Sequence, residues 1–251
     1  LVKLEFLTAF AGELGEEEAF ATIVEAFHEQ YPNIEVEVTH YLGADFIPKL
    51  TSSMAAGVPP NLFISYGGGQ LKSLVDEGQC ADLTDLLSED WALAQIPEGS
   101  KVPHTFKGRN YAVPHEWNVG CLLINRALFS QVGIAVPEED EAWTWEEFLD
   151  VCSSFKEAGI APLLISGKTP RHYKYYLDFL FERIGGQERF LKTINREEGY
   201  SFEDDVYVQA YQKFADLVAM EPFAEGYEAH GYMEAMGAFE TGKGAMWLLY
   251  T

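Results

Sequence analysis

The sequence predicts an α/β fold in two lobes, residues 1–114 and 115–251. Strand-like and helix-like segments alternate through the first eighty residues, Pro and Gly punctuate the chain from 82 to 114, and a second strand-and-helix series opens near Val119. Strands that alternate with helices imply a parallel sheet, because a parallel neighbour is reached only through a crossover.

In the first lobe Val2, Leu4 and Phe6 alternate with Lys3 and Glu5, the period of a half-buried strand. Glu16, Glu17 and Glu18 suit the positive end of a helix dipole, and Phe20, Ile23, Val24, Phe27 and Tyr31 then repeat at helical spacing until Pro32. Ile34, Val36 and Val38 alternate with Glu35, Glu37 and Thr39 as a second strand, after which Asp45 is expected to cap a helix reaching Ala56. Pro59 and Pro60 end that helix, and Leu62, Phe63 and Ile64 form a short apolar run, the pattern of a strand covered on both faces. Ligands of open parallel sheets gather at strand carboxyl ends, which puts residues 9–12, 41–44 and 65–70 on one rim.

The second lobe starts with 120–124 as a buried strand and 127–132 as a short helix closed by Gly133. Thr144 and Glu147 have capping-box spacing ahead of an apolar stripe of Phe148, Val151, Cys152 and Phe155, and Trp143 and Trp145 frame that helix start. A strand at 162–165, helices over 173–184, 204–220 and 232–241, and a last strand at 245–249 complete the series.

The 251 residues are 47% hydrophobic and 14% aromatic, enough apolar surface for a folded core. A formal net charge of −23 opposes both the counterion release that drives nucleic-acid binding and a polybasic grip on anionic lipid. No apolar run approaches the roughly 18 residues that span a bilayer. Cys80, Cys121 and Cys152 are too few for a disulfide scaffold and read as small buried hydrophobes. The six histidines lack metal-ligand spacing and read as surface or loop residues. The chain opens directly on a strand pattern, so any export signal is expected to have been removed.

Several phrases follow one another along the chain: Phe27-His28-Glu29-Gln30-Tyr31-Pro32-Asn33-Ile34, Pro60-Asn61-Leu62-Phe63, Gly108-Arg109-Asn110-Tyr111-Ala112-Val113-Pro114, Thr144-Trp145-Glu146-Glu147-Phe148 and Phe239-Glu240-Thr241-Gly242-Lys243-Gly244-Ala245-Met246. In that order they resemble the sugar-binding solute receptors of bacterial ABC importers, the family that includes maltose-binding protein. The resemblance implies a type II periplasmic-binding-protein-like fold and capture of a mono- or oligosaccharide in an interlobe cleft that closes about a hinge. It further implies presentation of the sugar to membrane permease subunits, with no enzymatic chemistry, cofactor, metal or nucleic acid. The receptor is expected to be a monomer outside the cytoplasm, in the periplasm or as a lipoprotein on the outer face of the cytoplasmic membrane. Chains of this family continue past the Gly-Lys-x-Ala-Met phrase, so the second lobe is expected to be incomplete and the last strand to lack neighbours.

A sugar offers apolar C–H faces and a belt of hydroxyls, which call for flat rings and short polar groups. The first-lobe strand ends offer Phe10, Glu13, Tyr41, Tyr66, Gly68 and Gln70, where the glycines let a ligand approach the backbone. That glycine run lacks the Lys-Ser/Thr of a phosphate-binding P-loop. The leading candidate is His115-Glu116-Trp117-Asn118, with Trp117 to stack and Glu116 and Asn118 to take hydroxyls. At a position where the family carries a ligand-facing aromatic, Tyr173 is the first choice; helical spacing sends Tyr173 and Tyr176 one way and Tyr175 another, so at least one is core. Trp247 and Tyr250 complete the set, on the segment where the family supplies a stacking Trp. The alternatives are a carboxylate pair such as Glu13 and Glu116 cleaving a glycosidic bond, ferric iron on adjacent tyrosines, and a polyamine in an aromatic box.

Overall fold

A three-stranded parallel sheet organises the first part of the chain. In sequence it comprises β1 (Val2–Thr8), α1 (Glu16–Gln30), β2 (Ile34–His40), α2 (Gly43–Ala55), β3 (Leu62–Phe63) and α3 (Gly68–Asp76). The short helices α4 (Asp90–Gln95) and α5 (Glu98–Lys101) and the hairpin β4 (Thr105–Phe106) and β5 (Arg109–Asn110) follow. The computed structural model describes residues 1–9, 15–41, 43–116, 118–138 and 141–250, without the side chains of Gly43 and Ala44. The chain divides into two units, Leu1–Trp117 and Asn118–Thr251.

In the first unit β1 is central, pairing with β2 from Val2↔Ile34 to Thr8↔His40 and with β3 at Phe6↔Leu62 and Leu7↔Phe63. Its core gathers Leu7, Ala9, Phe46, Leu50, Met54 and Ile64, so β1 and α2 supply most of it. Three details depart from the sequence reading. The helix α2 begins at Gly43, which places Asp45 in its first turn rather than at the cap; its charge still meets the helix dipole there. As an edge strand β3 leaves Leu62 46% exposed, because the doubly flanked position belongs to β1. The stripe of α1 buries no residue fully and Ile23 is exposed, while Phe20 meets Phe6 edge-on at 5.6 Å. The hairpin is tied down by Asn110, whose carbonyl accepts from the Leu83 amide at 2.8 Å, and by an Arg109–Asp82 ion pair. Hydrogen bonds from Thr84, with Arg109 beside them, hold the Asp82 carboxyl down at about 2.

The second unit contains β6 (Gly120–Ile124), α6 (Arg126–Val132), α7 (Trp145–Glu157), β7 (Leu163–Leu164), α8 (Pro170–Gly185), α9 (Gln187–Ile194), α10 (Asp205–Ala219), α11 (Tyr232–Glu240) and β8 (Met246–Tyr250). Its sheet order is β6–β8–β7, with β8 antiparallel to β6 and parallel to β7. The last strand is therefore the central one, paired on both sides, which corrects the expectation that it lacks neighbours. The strand β6 is half-buried rather than buried, in keeping with its place at the edge.

Local chemistry fixes the helix starts here. The Asn125 side chain accepts from the Ala127 and Leu128 amides ahead of α6, and Gly133 takes the left-handed turn that ends it. Both halves of the Thr144–Glu147 capping box form. The core gathers Phe129, Phe155, Leu163, Tyr176, Leu217 and Met246, with Phe129 edge-on to Phe155 at 4.9 Å and parallel to Trp143 at 6.0 Å. Cys152 lies in that core, and burial pushes its thiol up to about 12, so it is inert packing. A second cluster joins Leu180, Phe181, Tyr207 and Ala210, where the Tyr207 hydroxyl donates to Thr193 Oγ1 at 2.6 Å. Among the described residues no helix is long and apolar enough to cross a membrane.

Candidate functional site

Because β7 and β8 run parallel and β6 runs against them, their carboxyl ends and the start of β6 share one end of the second unit's sheet. Aromatic rings collect there. Tyr250 closes β8 opposite Gly120 and remains 36% exposed. Tyr175, on the second turn of α8, meets it with ring centroids 4.6 Å apart and planes tilted by 57°. One turn earlier on α8 lies His172, 5.1 Å from Tyr175, and Tyr232 at the start of α11 stands edge-on to His172 at 6.3 Å. Trp247 backs Tyr232 at 5.7 Å.

The electrostatics of this corner favour neutral donors. Burial raises the Tyr175 phenol against an opposing pull from Arg171, and burial followed by Asp178 and Glu182 raises that of Tyr250. Both phenols therefore keep their protons at neutral pH and can each donate and accept a hydrogen bond. Burial, then the Arg171 charge, lowers the pKa of His172, which favours the uncharged imidazole beneath the rings. Two protonated phenols on a half-exposed apolar corner can stack on a C–H face and exchange bonds with hydroxyls. Among the described residues no group of three or more His, Cys, Asp and Glu could hold a metal ion.

In the first unit the strand ends also form a rim. The Tyr41 amide donates to the Thr8 carbonyl and the Ile64 amide to the Leu7 carbonyl, both at 3.0 Å. Thr8 Oγ1 and His40 Nδ1 lie 2.6 Å apart. Gly67 and Gly68 take φ of +70° and +57° at the start of α3, and a Cβ on Gly67 would sit 3.0 Å from Pro103 Cβ and 3.1 Å from His104 Nε2. The left-handed φ strains any other residue at Gly67, and a Cβ there would also press on Pro103 and His104. Tyr66 beside them is 58% exposed, and Gln70 is half-buried in the first turn of α3.

The residues singled out by sequence fare unevenly. Phe10, Glu13 and Trp117 lie outside the described residues. Tyr41 packs against the first unit's core, while Glu116 and Asn118 are exposed, Glu116 with its carboxylate 3.9 Å from His115 Nε2. Tyr173 rests against the core cluster with its hydroxyl close over Gly167, so it faces the protein more than the rim. Trp247 is 2% exposed inside a cluster with Leu164, Ala235 and Leu249; the expected stacking platform is instead a ring that supports Tyr232. His172, read from sequence as a surface or loop residue, is 4% exposed. Tyr175 and Tyr232 were not singled out as ligand-stacking residues, although the different phase of Tyr175 and Tyr176 on one helix was legible in their spacing.

Comparison with known proteins agrees with this architecture. Residues 11–251 match the family described as bacterial extracellular solute-binding protein. An uncharacterised ABC-transporter extracellular-binding protein of Pyrococcus horikoshii is 25% identical over 94% of this chain, which spans 52% of that protein. The melibiose/raffinose/stachyose-binding protein MelE of Bacillus subtilis is 27% identical over 65% of the chain and 36% of its own length. A solved structure from work on xylan utilisation by Caldanaerobius polysaccharolyticus superposes with a TM-score of 0.84 at 26% identity, covering 99% of this chain and 61% of that one. The chain thus spans between about a third and three-fifths of the relatives it matches. The family match over nearly the whole sequence and the shared fold together make this chain a member of the bacterial extracellular solute-binding protein family.

Proposed function

We propose that this chain captures a carbohydrate for an ABC importer and hands it to membrane permease subunits without altering it. The observation that carries this reading is the Tyr175–Tyr250 corner at the strand ends of the second unit, with both phenols protonated and one ring substantially exposed. Family membership and the sugar-binding relative MelE support the same class of ligand. Exposed Tyr66, Glu116 and Asn118, and by sequence Phe10, Glu13 and Trp117, are assigned as further sugar contacts. The protein acts as a monomer outside the cytoplasm, in the periplasm or tethered as a lipoprotein. Rings with neutral hydroxyl partners suit an uncharged ligand held by stacking, a task that needs no nucleophile or metal.

A thermal-shift panel tests the proposal, since a ligand that binds only the folded chain raises its apparent stability by mass action. Raffinose or xylo-oligosaccharides should raise the midpoint, and Tyr175→Ala and Trp117→Ala should each remove most of the rise. A shift with spermidine or ferric citrate and none with any saccharide overturns it.

A further inference from the structure

We propose that Gly120 is a positioning residue for the tyrosine corner: its missing side chain is what allows the Tyr250 ring to lie across β6 and meet Tyr175. The inference rests on reading that corner as a saccharide platform and adds the residue that sets its shape.

Gly120 and Tyr250 are direct cross-strand partners at the last rung of the β6–β8 pair. A Cβ built on Gly120 would stand 3.1 Å from Tyr250 Cζ, 3.2 Å from Cε1 and 3.5 Å from the hydroxyl oxygen. Carbon atoms pack best near 3.5 to 4.0 Å, so a Cβ at 120 requires the outer edge of the Tyr250 ring to give way by a few tenths of an ångström. A side chain at 120 therefore displaces the Tyr250 ring from its present seat. The same ring packs on Tyr175 with centroids 4.6 Å apart, so displacing it changes the corner.

The backbone gives no other reason for glycine. Gly120 is absent from the positive-φ positions, which include Gly67, Gly68 and Gly133, so alanine fits its conformation. Glycine weakens a strand and often marks a close approach, and here the approaching group is the Tyr250 ring. The competing account is that the ring merely covers a strand glycine to steady the sheet, a known use of aromatic side chains. The two accounts differ in what alanine does to ligand affinity.

Gly120→Ala, Tyr250→Ala and the double variant are compared with the parent chain, with thermal unfolding as the check on folding. In the parent, NMR should find the Gly120 Hα signals shifted upfield by the Tyr250 ring and returned towards ordinary values in Tyr250→Ala; no such shift overturns the inference even if Gly120→Ala fails to fold. In Gly120→Ala the Tyr250–Tyr175 ring contacts should disappear. Calorimetric affinity for raffinose or xylotriose should fall about tenfold in either single variant and no further in the double, as for two residues acting through one ring. Unchanged affinity in Gly120→Ala, or retained ring contacts, overturns the proposal in favour of simple sheet cover. If the parent binds neither sugar while Gly120→Ala loses the ring contacts, the carbohydrate reading falls and the seating of Tyr250 by Gly120 stands.

Discussion

Tyr175 and Tyr176 are neighbours in sequence and opposite in fate: one leans on Tyr250 at the sheet end, the other fills the core with Leu217 and Met246. About 100° of helical turn separates adjacent side chains, so the split between core and rim was readable from spacing. Which tyrosine served which side was not, because that depends on how α8 lies on the sheet. Trp247 shows the same limit, since alternation in β8 fixes its phase but not which face α11 covers. At this scale Tyr250→Ala should lower saccharide affinity about tenfold while moving the unfolding midpoint little, read by calorimetry and circular dichroism. His172 makes a pH prediction. Its folded pKa is lowered from 6.5, so the stability tied to its neutral form is present above about pH 6.5 and is lost as pH falls below that value towards the folded one. Unfolding midpoints between pH 7.5 and 5 should fall, and His172→Gln should flatten part of that slope. An unchanged slope contradicts the assignment.

The elements with strong local signals were legible: α6 with its Asn125 cap and Gly133 end, and α7 with its capping box. Removing the box in Thr144→Ala should cost about 1 kcal/mol in denaturant unfolding, the usual worth of an N-cap. Phe155→Ala, which empties a fully buried position against Phe129, should cost about 3 to 5 kcal/mol by the same measurement. A loss under 1 kcal/mol for Phe155→Ala would mean that this core is not the one described. The helix α9 was missed although Phe190, Leu191 and Ile194 share one face, because at eight residues between Gly186 and Asn195 it is shorter than the window over which helical periodicity is read. The central place of β8 was missed for another reason: strand order is set by which edges the sheet leaves open as it assembles, and periodicity within one segment carries none of that.

For the whole molecule, the charge of −23 is a statement about partners rather than fold. A neutral sugar feels no long-range repulsion, so its affinity should stay nearly flat between about 20 and 500 mM salt. A uronate-bearing analogue should bind more weakly at low salt and recover as salt screens the protein's field. Family and fold class were legible in the order of phrases along the chain; the tyrosine corner was not, since it is made by three segments separated in sequence. The central claim is that this protein holds a saccharide without transforming it. Calorimetric titration with raffinose and xylo-oligosaccharides, followed by chromatography of the recovered sugar, tests it most directly. Saturable one-to-one binding with the sugar returned intact is the predicted result; cleaved sugar, or no heat with any saccharide, contradicts it.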